Sequence, residues 1–150
     1  MAWKLSVDQG LTPEKAFAAC AYLFPCSKWE EGDLDAKVVF EERIAEVEGY
    51  TIDVSDPEYD DNSHCRNRNE LISEGVNSVT LTEFLSFLRQ WYLDRGELPT
   101  WFKERGILCA GTQFQDGGIP GVAFRGGVVR VYWCHPDLTD TLYAMKKLAE

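Results

Sequence analysis

Apolar side chains recur every three or four residues in two long stretches of the chain, which is the pattern of helices with one buried face. In the first stretch, Phe17, Cys20 and Phe24 form the apolar stripe. The preceding residues Thr12–Glu14 are a favourable helix start, because threonine caps a first turn, proline suits its first position and an acid complements the helix dipole. Pro25 predicts the end of this helix.

The second stretch begins with a capping box, in which Thr80 caps the helix and Glu83 reaches back from three residues later. Gly96 predicts its end, since glycine suits the left-handed residue that follows many helices. A closing helix is expected after Asp137 or Thr139. The apolar stripe of the helix that starts after Thr80 consists of Phe84, Leu85, Leu88, Trp91 and Tyr92. The apolar stripe of the closing helix would consist of Leu142, Met145 and Leu148.

Strands are indicated where apolar and polar residues alternate. Tyr50 to Val54 alternate in this way, which predicts a strand with one buried face. Val122–Phe124 and Val128–Trp133 flank the pair Gly126-Gly127, so they predict a β-hairpin. Residues 36–48 fit either a helix or a strand, because their apolar positions match both periods.

The remaining segments are short and polar. Residues 56–69 predict a surface loop, and residues 99–106 predict one short helical turn. A chain of 150 residues has about the length of one domain. These elements together predict a single α+β domain over residues 1–150, with three or so helices packed on a small antiparallel sheet.

Charge is distributed very unevenly along this sequence. The chain has 25 Asp and Glu against 15 Lys and Arg, for a net charge of −10. Residues 30–61 contain 13 of the acids but only two bases, Lys37 and Arg43, so this segment carries the whole excess of negative charge. Such an imbalance of charge is informative about binding partners rather than about the fold.

Two interpretations of the acidic segment are open: a solvated face that aids solubility, or a surface that binds a basic partner. The second predicts a non-enzymatic interaction protein that mimics the charge of a nucleic acid as an inhibitor or immunity-type protein. Its partner would be a protein with a basic surface, such as a nucleic-acid-binding protein, with no direct nucleic-acid contact and no membrane. The expected binding residues are Glu41, Glu42, Glu46, Glu48, Asp53, Asp56, Glu58, Asp60 and Asp61.

A cysteine-dependent hydrolase or acyl transferase is the alternative function. Cys65 lies beside His64, Arg66 and Arg68, and cations lower the pKa of a neighbouring thiol. Together with Cys65, His135 and Asp137 would form a Cys-His-Asp constellation for acyl transfer, in which the Asp137 carboxylate orients the His135 imidazole.

No other chemistry has a recognisable motif. The chain lacks the glycine-rich phosphate loops GxGxxG and GxxxxGK[ST], and it lacks CxxC, so no cofactor and no metal is expected. No pair of carboxylates is expected to have a raised pKa, because none lies beside an apolar run. An odd number of irregularly spaced cysteines and a start without a basic, apolar leader predict reduced thiols and a cytoplasmic protein.

Overall fold

The computed structural model describes residues 2–45, 48–57, 67–137 and 142–148, and these residues form helices and strands in mixed order. The helices are α1 (Pro13–Leu23), α2 (Leu34–Lys37), α3 (Arg68–Ser73), α4 (Leu81–Arg95) and α5 (Thr100–Glu104). The strands are β1 (Ala2–Val7), β2 (Cys26–Lys28), β3 (Val38–Glu41), β4 (Tyr50–Ser55), β5 (Ile107–Leu108), β6 (Thr112–Phe114), β7 (Ile119–Arg125) and β8 (Val128–Cys134).

The strands form three small sheets. Strands β1 and β4 pair antiparallel, β3 and β6 pair antiparallel, and the largest sheet has the order β2-β8-β7-β5. In that sheet β2 runs parallel to β8, whereas β7 and β8 form an antiparallel hairpin. The predicted α+β class is confirmed, but the described residues contain five helices rather than about three and three sheets rather than one.

Helix α4 is the centre of the core, because its first two turns are buried on every side. Phe84, Leu85 and Leu88 have no solvent exposure. Helix α1 packs against α4, and the same cluster includes Leu5 near one end of the chain and Met145 near the other. The first half of α4 is therefore held by elements from the whole described sequence.

The predicted ends of the two long helices are confirmed. The Thr12 hydroxyl accepts a hydrogen bond from the Lys15 amide at 3.3 Å. The Thr80 hydroxyl and the Glu83 carboxylate exchange reciprocal bonds with each other's backbone amides, as a capping box requires. Gly96 ends α4 with a φ of 74°, a left-handed conformation that glycine adopts without strain.

The expectation of a closing helix is wrong. Residues 142–148 are extended, and the Met145 carbonyl accepts the Val79 amide at 3.0 Å. On the β4 side, the Ser55 amide donates to the Lys146 carbonyl at 2.8 Å. An extended segment can pair with two neighbours at once, whereas a helix would satisfy its own backbone groups and leave theirs unpaired.

Two further segments differ from the sequence-based expectation, and a third resolves an ambiguity. Strand β1 was not predicted, although Leu5 and Val7 are buried and alternate with Lys4 and Ser6. Helix α3 replaces the end of the expected loop, with Asn67 and Glu70 forming its capping box. The ambiguous residues 36–48 contain the end of α2 and all of β3, so both interpretations are partly correct.

Candidate functional site

Strand β3 and the turn after it expose an unusual amount of apolar surface. Val39 is 59% exposed, Phe40 is 45% exposed and Ile44 is 62% exposed. The ladder between β3 and β6 shifts register between Val38 and Phe40, and such a bulge lets two consecutive side chains turn away from the core. We refer to Val39, Phe40 and Ile44 as the β3 patch.

A groove runs beside the β3 patch and has a volume of about 380 Å³. This volume is in the lower part of the range that ligand pockets have. Its walls come from two parts of the chain: the start of α1 with the loop before it, and the segment from α2 to the turn after β3. The lining residues are Leu11, Thr12, Pro13, Asp35, Val38, Val39, Phe40, Glu41 and Ile44.

Exposed carboxylates precede and follow this apolar surface along the chain. Asp33 caps α2 and Asp35 lines the groove, where its carboxylate accepts the Glu14 amide at 2.9 Å. Glu42 follows β3 directly, and Glu48 lies farther along the same loop. Within the described ranges, none of these four exposed acids makes an ion pair. We refer to Asp33, Asp35, Glu42 and Glu48, the exposed acids that flank the β3 patch along the chain, as its acidic border.

The two cations of the acidic segment are already engaged. The Lys37 ammonium contacts the Glu30 carboxylate at 2.7 Å. The Arg43 guanidinium donates to the Glu83 carboxylate from Nε at 2.7 Å and from Nη2 at 2.9 Å. Because Glu83 belongs to α4, Arg43 forms its close ion pair with an acid of the core, although the charge of the neighbouring Glu42 also acts on it.

Glu41 points into the protein instead of joining the acidic border. Its carboxylate accepts the Thr82 hydroxyl at 2.8 Å, the Thr82 amide at 3.3 Å and the Thr112 hydroxyl at 2.8 Å. Burial raises the pKa of Glu41, the three hydrogen bonds oppose that rise, and the nearby Glu83 carboxylate adds to it. The expectation that no carboxylate has a raised pKa is therefore wrong for Glu41, because tertiary packing buries this side chain.

Glu83 is the polar centre beneath this surface and is fully buried. Besides Arg43, its carboxylate accepts the Tyr50 hydroxyl at 2.7 Å and the Thr80 amide at 2.9 Å. Burial raises the pKa of Tyr50, and the Glu83 charge raises it further, so the phenol stays protonated and donates. These contacts tie the turn after β3 and the start of β4 to the N-terminus of α4.

The other predicted binding acids lie in different surroundings. Asp53 is on β4 and faces Lys4 on β1, with 3.6 Å between carboxylate and ammonium. Asp56 is only 4% exposed, so its carboxylate is not a surface group. Glu46, Glu58, Asp60 and Asp61 lie outside the described residues. Of the predicted binding acids that the structure describes, Glu42 and Glu48 are exposed and make no ion pair with another described residue.

The alternative constellation is described only in part, because Cys65 lies outside the described residues. The Asp137 amide donates to Nδ1 of His135 at 3.1 Å. The Asp137 carboxylate accepts instead from the side-chain amide of Asn69. The described contacts of Asp137 therefore hold α3 near the end of β8. They do not include the bond between the Asp137 carboxylate and the His135 imidazole that a catalytic triad requires.

The cysteines of the core are held in their thiol form. Burial raises the pKa of both Cys20 and Cys109, and it raises the pKa of Cys26 to about 12. A thiol is a poor nucleophile while it is protonated. These three residues accordingly behave as packing groups rather than as reactive ones.

The β3 patch was missed at the level of sequence. The run Val38-Val39-Phe40 is apolar throughout, so it resembles a buried strand, and alternation gives no sign that two of its side chains are exposed. The available signal is its position between two acidic runs, since a buried strand seldom has charges on both flanks.

Comparison of the chain with protein-family models, with curated proteins and with solved structures gives no match. Among the described residues, no group of three or more His, Cys, Asp or Glu is arranged to hold a metal ion. No helix in those same ranges has the length and apolarity to cross a bilayer. The features of the described chain that bear on function are therefore the β3 patch and its acidic border.

Proposed function

We propose that this chain is a non-enzymatic interaction protein that binds a basic surface of a partner protein through the β3 patch and its acidic border. The observation that carries the proposal is the exposure of Val39, Phe40 and Ile44 next to a groove that the exposed Asp35 also lines. A buried aromatic or aliphatic anchor within a polar rim is the usual anatomy of a protein interface.

The two components have different physical roles. Burial of the β3 patch by a partner removes apolar surface from water, which favours the complex by roughly 25 cal/mol for each Å². The carboxylates of Asp35, Glu42 and Glu48 steer a basic partner during encounter and repel acidic proteins. Affinity thus comes mostly from the apolar contact, whereas association rate and selectivity come from the charges.

The same surface suits an inhibitor of a nucleic-acid-handling protein. Phosphates give a duplex one charge about every 1.7 Å along its axis, and the proteins that bind it present matching lysines and arginines. Exposed carboxylates can occupy such a basic site in place of phosphates. The apolar component, which phosphates lack, gives the complex a contact that high salt does not weaken.

The test is a charge series with matched controls. The variant Glu42→Lys/Glu48→Lys reverses two charges of the border, and Asp94→Lys/Glu97→Lys reverses two exposed charges at the other end of α4. Each protein is immobilised, and extracts of the source organism are passed over it at low and high salt. Proteins retained by the wild type are identified by mass spectrometry, purified, and titrated against all three chains.

We expect the border variant to bind the purified partner about tenfold more weakly at low salt, which corresponds to roughly 1.4 kcal/mol. The control variant should bind as the wild type does. The difference should shrink at high salt because exposed charges are screened. Equal binding by all three chains at low salt would show that the acidic border has no role in recognition.

A further inference from the structure

Strand β3 has a free edge. In the part of the chain that the structure describes, β3 pairs with β6 on one side and with no strand on the other. A free edge presents backbone N–H and C=O groups that another extended chain can use. The groove of about 380 Å³ lies along this strand and is lined by Val38, Val39, Phe40 and Glu41 in succession.

The charges beside this edge restrict what can pair with it. A second copy of this chain would bring the carboxylates of Asp35 and Glu42 against the same groups, and like charges across a strand pair are unfavourable. A segment with lysine or arginine at alternate positions would instead complement them. The border therefore disfavours self-association at the edge, which is how exposed edge strands are commonly protected, and still admits a cationic strand.

The β3 patch supplies the other half of the specificity. An added strand directs alternate side chains to opposite faces, so one set can contact Val39, Phe40 and Ile44 while the other set remains in solvent. The occupant that fits both features is an extended segment in which apolar and cationic residues alternate.

We propose that the free edge of β3 binds an extended basic segment of the partner protein by strand addition, with its apolar side chains on the β3 patch. This inference rests on the proposed function and specifies the part of the partner that is recognised. In strand addition, backbone hydrogen bonds supply affinity and alternate side chains supply specificity.

The probe is a synthetic seven-residue peptide that alternates lysine and valine, blocked at both ends. Its binding to the ¹⁵N-labelled full chain is followed by NMR titration at low salt. Two further peptides carry N-methyl groups, one on the valines and the other on the inner lysines. Because the N–H groups of alternate residues in a strand point to opposite edges, methylation of one set blocks pairing with β3 and methylation of the other set leaves it intact.

We expect the unmethylated peptide to shift the amide resonances of residues 38–44, one methylated peptide to bind within about threefold of it, and the other to bind about tenfold more weakly. Equal binding of the two methylated peptides, or loss of binding by both, would overturn strand addition. So would an unmethylated peptide that leaves residues 38–44 unshifted.

The charge variants distinguish failure of strand addition from failure of the proposed function. If Glu42→Lys/Glu48→Lys weakens peptide binding relative to Asp94→Lys/Glu97→Lys while the methylated peptides bind alike, the surface is correct and strand addition is wrong. If both charge variants bind the peptide and the purified partner as the wild type does, the surface itself is wrong.

Discussion

Arg43 and Glu83 form a two-pronged ion pair that joins the loop after β3 to the buried start of α4. The guanidinium contacts the carboxylate at 2.7 and 2.9 Å, and it also donates to the Asn77 side chain and the Ser78 carbonyl. Glu83 has no solvent exposure. The Arg43–Glu83 ion pair therefore attaches the exposed β3 patch to the core. This attachment keeps the patch ordered although its side chains are not buried.

Removal of the Arg43 side chain should be strongly destabilising. Arg43→Ala leaves the buried Glu83 carboxylate without its cation, and loss of one partner of a buried pair costs about 3 to 5 kcal/mol. Lys37→Ala breaks the more exposed pair with Glu30 and should cost less than about 1 kcal/mol. Urea unfolding of the two variants measures the difference. Similar losses for both would show that the Arg43 pair adds nothing beyond a surface contact.

The stability of the protein should depend on pH through Glu41. Because its pKa is raised in the folded state, the folded protein holds this proton more readily than the unfolded chain does. The stability that protonated Glu41 contributes is complete below the unfolded pKa and is lost as the pH rises through the folded pKa. Glu41→Gln cannot titrate, so it should gain stability relative to the wild type as the pH rises.

The measurement is the free energy of unfolding of both proteins from pH 4 upward to neutral. Packing and hydrogen-bond costs of the glutamine do not vary with pH, so the slope of the difference isolates the titration. The prediction would be contradicted if the difference in free energy of unfolding between the two proteins stays constant with pH, or if the variant loses stability relative to the wild type as the pH rises. Either result would mean that the hydrogen bonds from Thr82 and Thr112 outweigh the burial of the Glu41 carboxylate.

Met145 should be a core residue although it lies in a short extended segment. It is fully buried, and Met145→Ala should cost about 2 to 5 kcal/mol. Leu93, on the exposed side of α4, is a matched control, and Leu93→Ala should cost less than about 0.5 kcal/mol. Thermal or urea unfolding compares the two. A small loss at Met145 would indicate that residues 142–148 do not pack as described.

Gly118 should be needed for the position of the Trp133 ring. A Cβ at residue 118 would lie 1.9 Å from Nε1 of Trp133, whose N–H donates to the Asp116 carboxylate at 2.8 Å. Gly118→Ala should displace the indole, shift its N–H resonance and cost about 1 to 3 kcal/mol. Gly75→Ala meets open space at a φ of +73°, so it should cost backbone strain alone. An unmoved Trp133 resonance in Gly118→Ala would contradict the packing.

Cys20, Cys26 and Cys109 should resist alkylation in the folded protein. Burial raises the pKa of each thiol, so few thiolates are present at pH 8. Iodoacetamide labelling followed by peptide mapping should find them unmodified under native conditions and modified in urea. Fast native labelling of Cys20 or Cys109 would show that the core around α4 opens readily.

The helix ends and the β7–β8 hairpin were determined by the sequence alone. A threonine cap, a capping box, a left-handed glycine or a tight turn acts over four or five residues, so the local sequence contains all the partners it needs. The same reasoning predicted the α+β class, because helix and strand periods alternate along the chain.

Only the tertiary structure decided the conformation of residues 142–148 and the exposure of the side chains in the acidic segment. The apolar spacing of Leu142 and Met145 fits a helix, yet backbone groups near Ser55 and Val79 require an extended partner, and no local pattern records that requirement. Likewise Glu41 and Glu42 are adjacent acids, but one turns toward Thr82 and Thr112 while the other faces solvent. Burial is set by contacts between residues that are distant in the chain, and periodicity within a short window cannot specify those contacts.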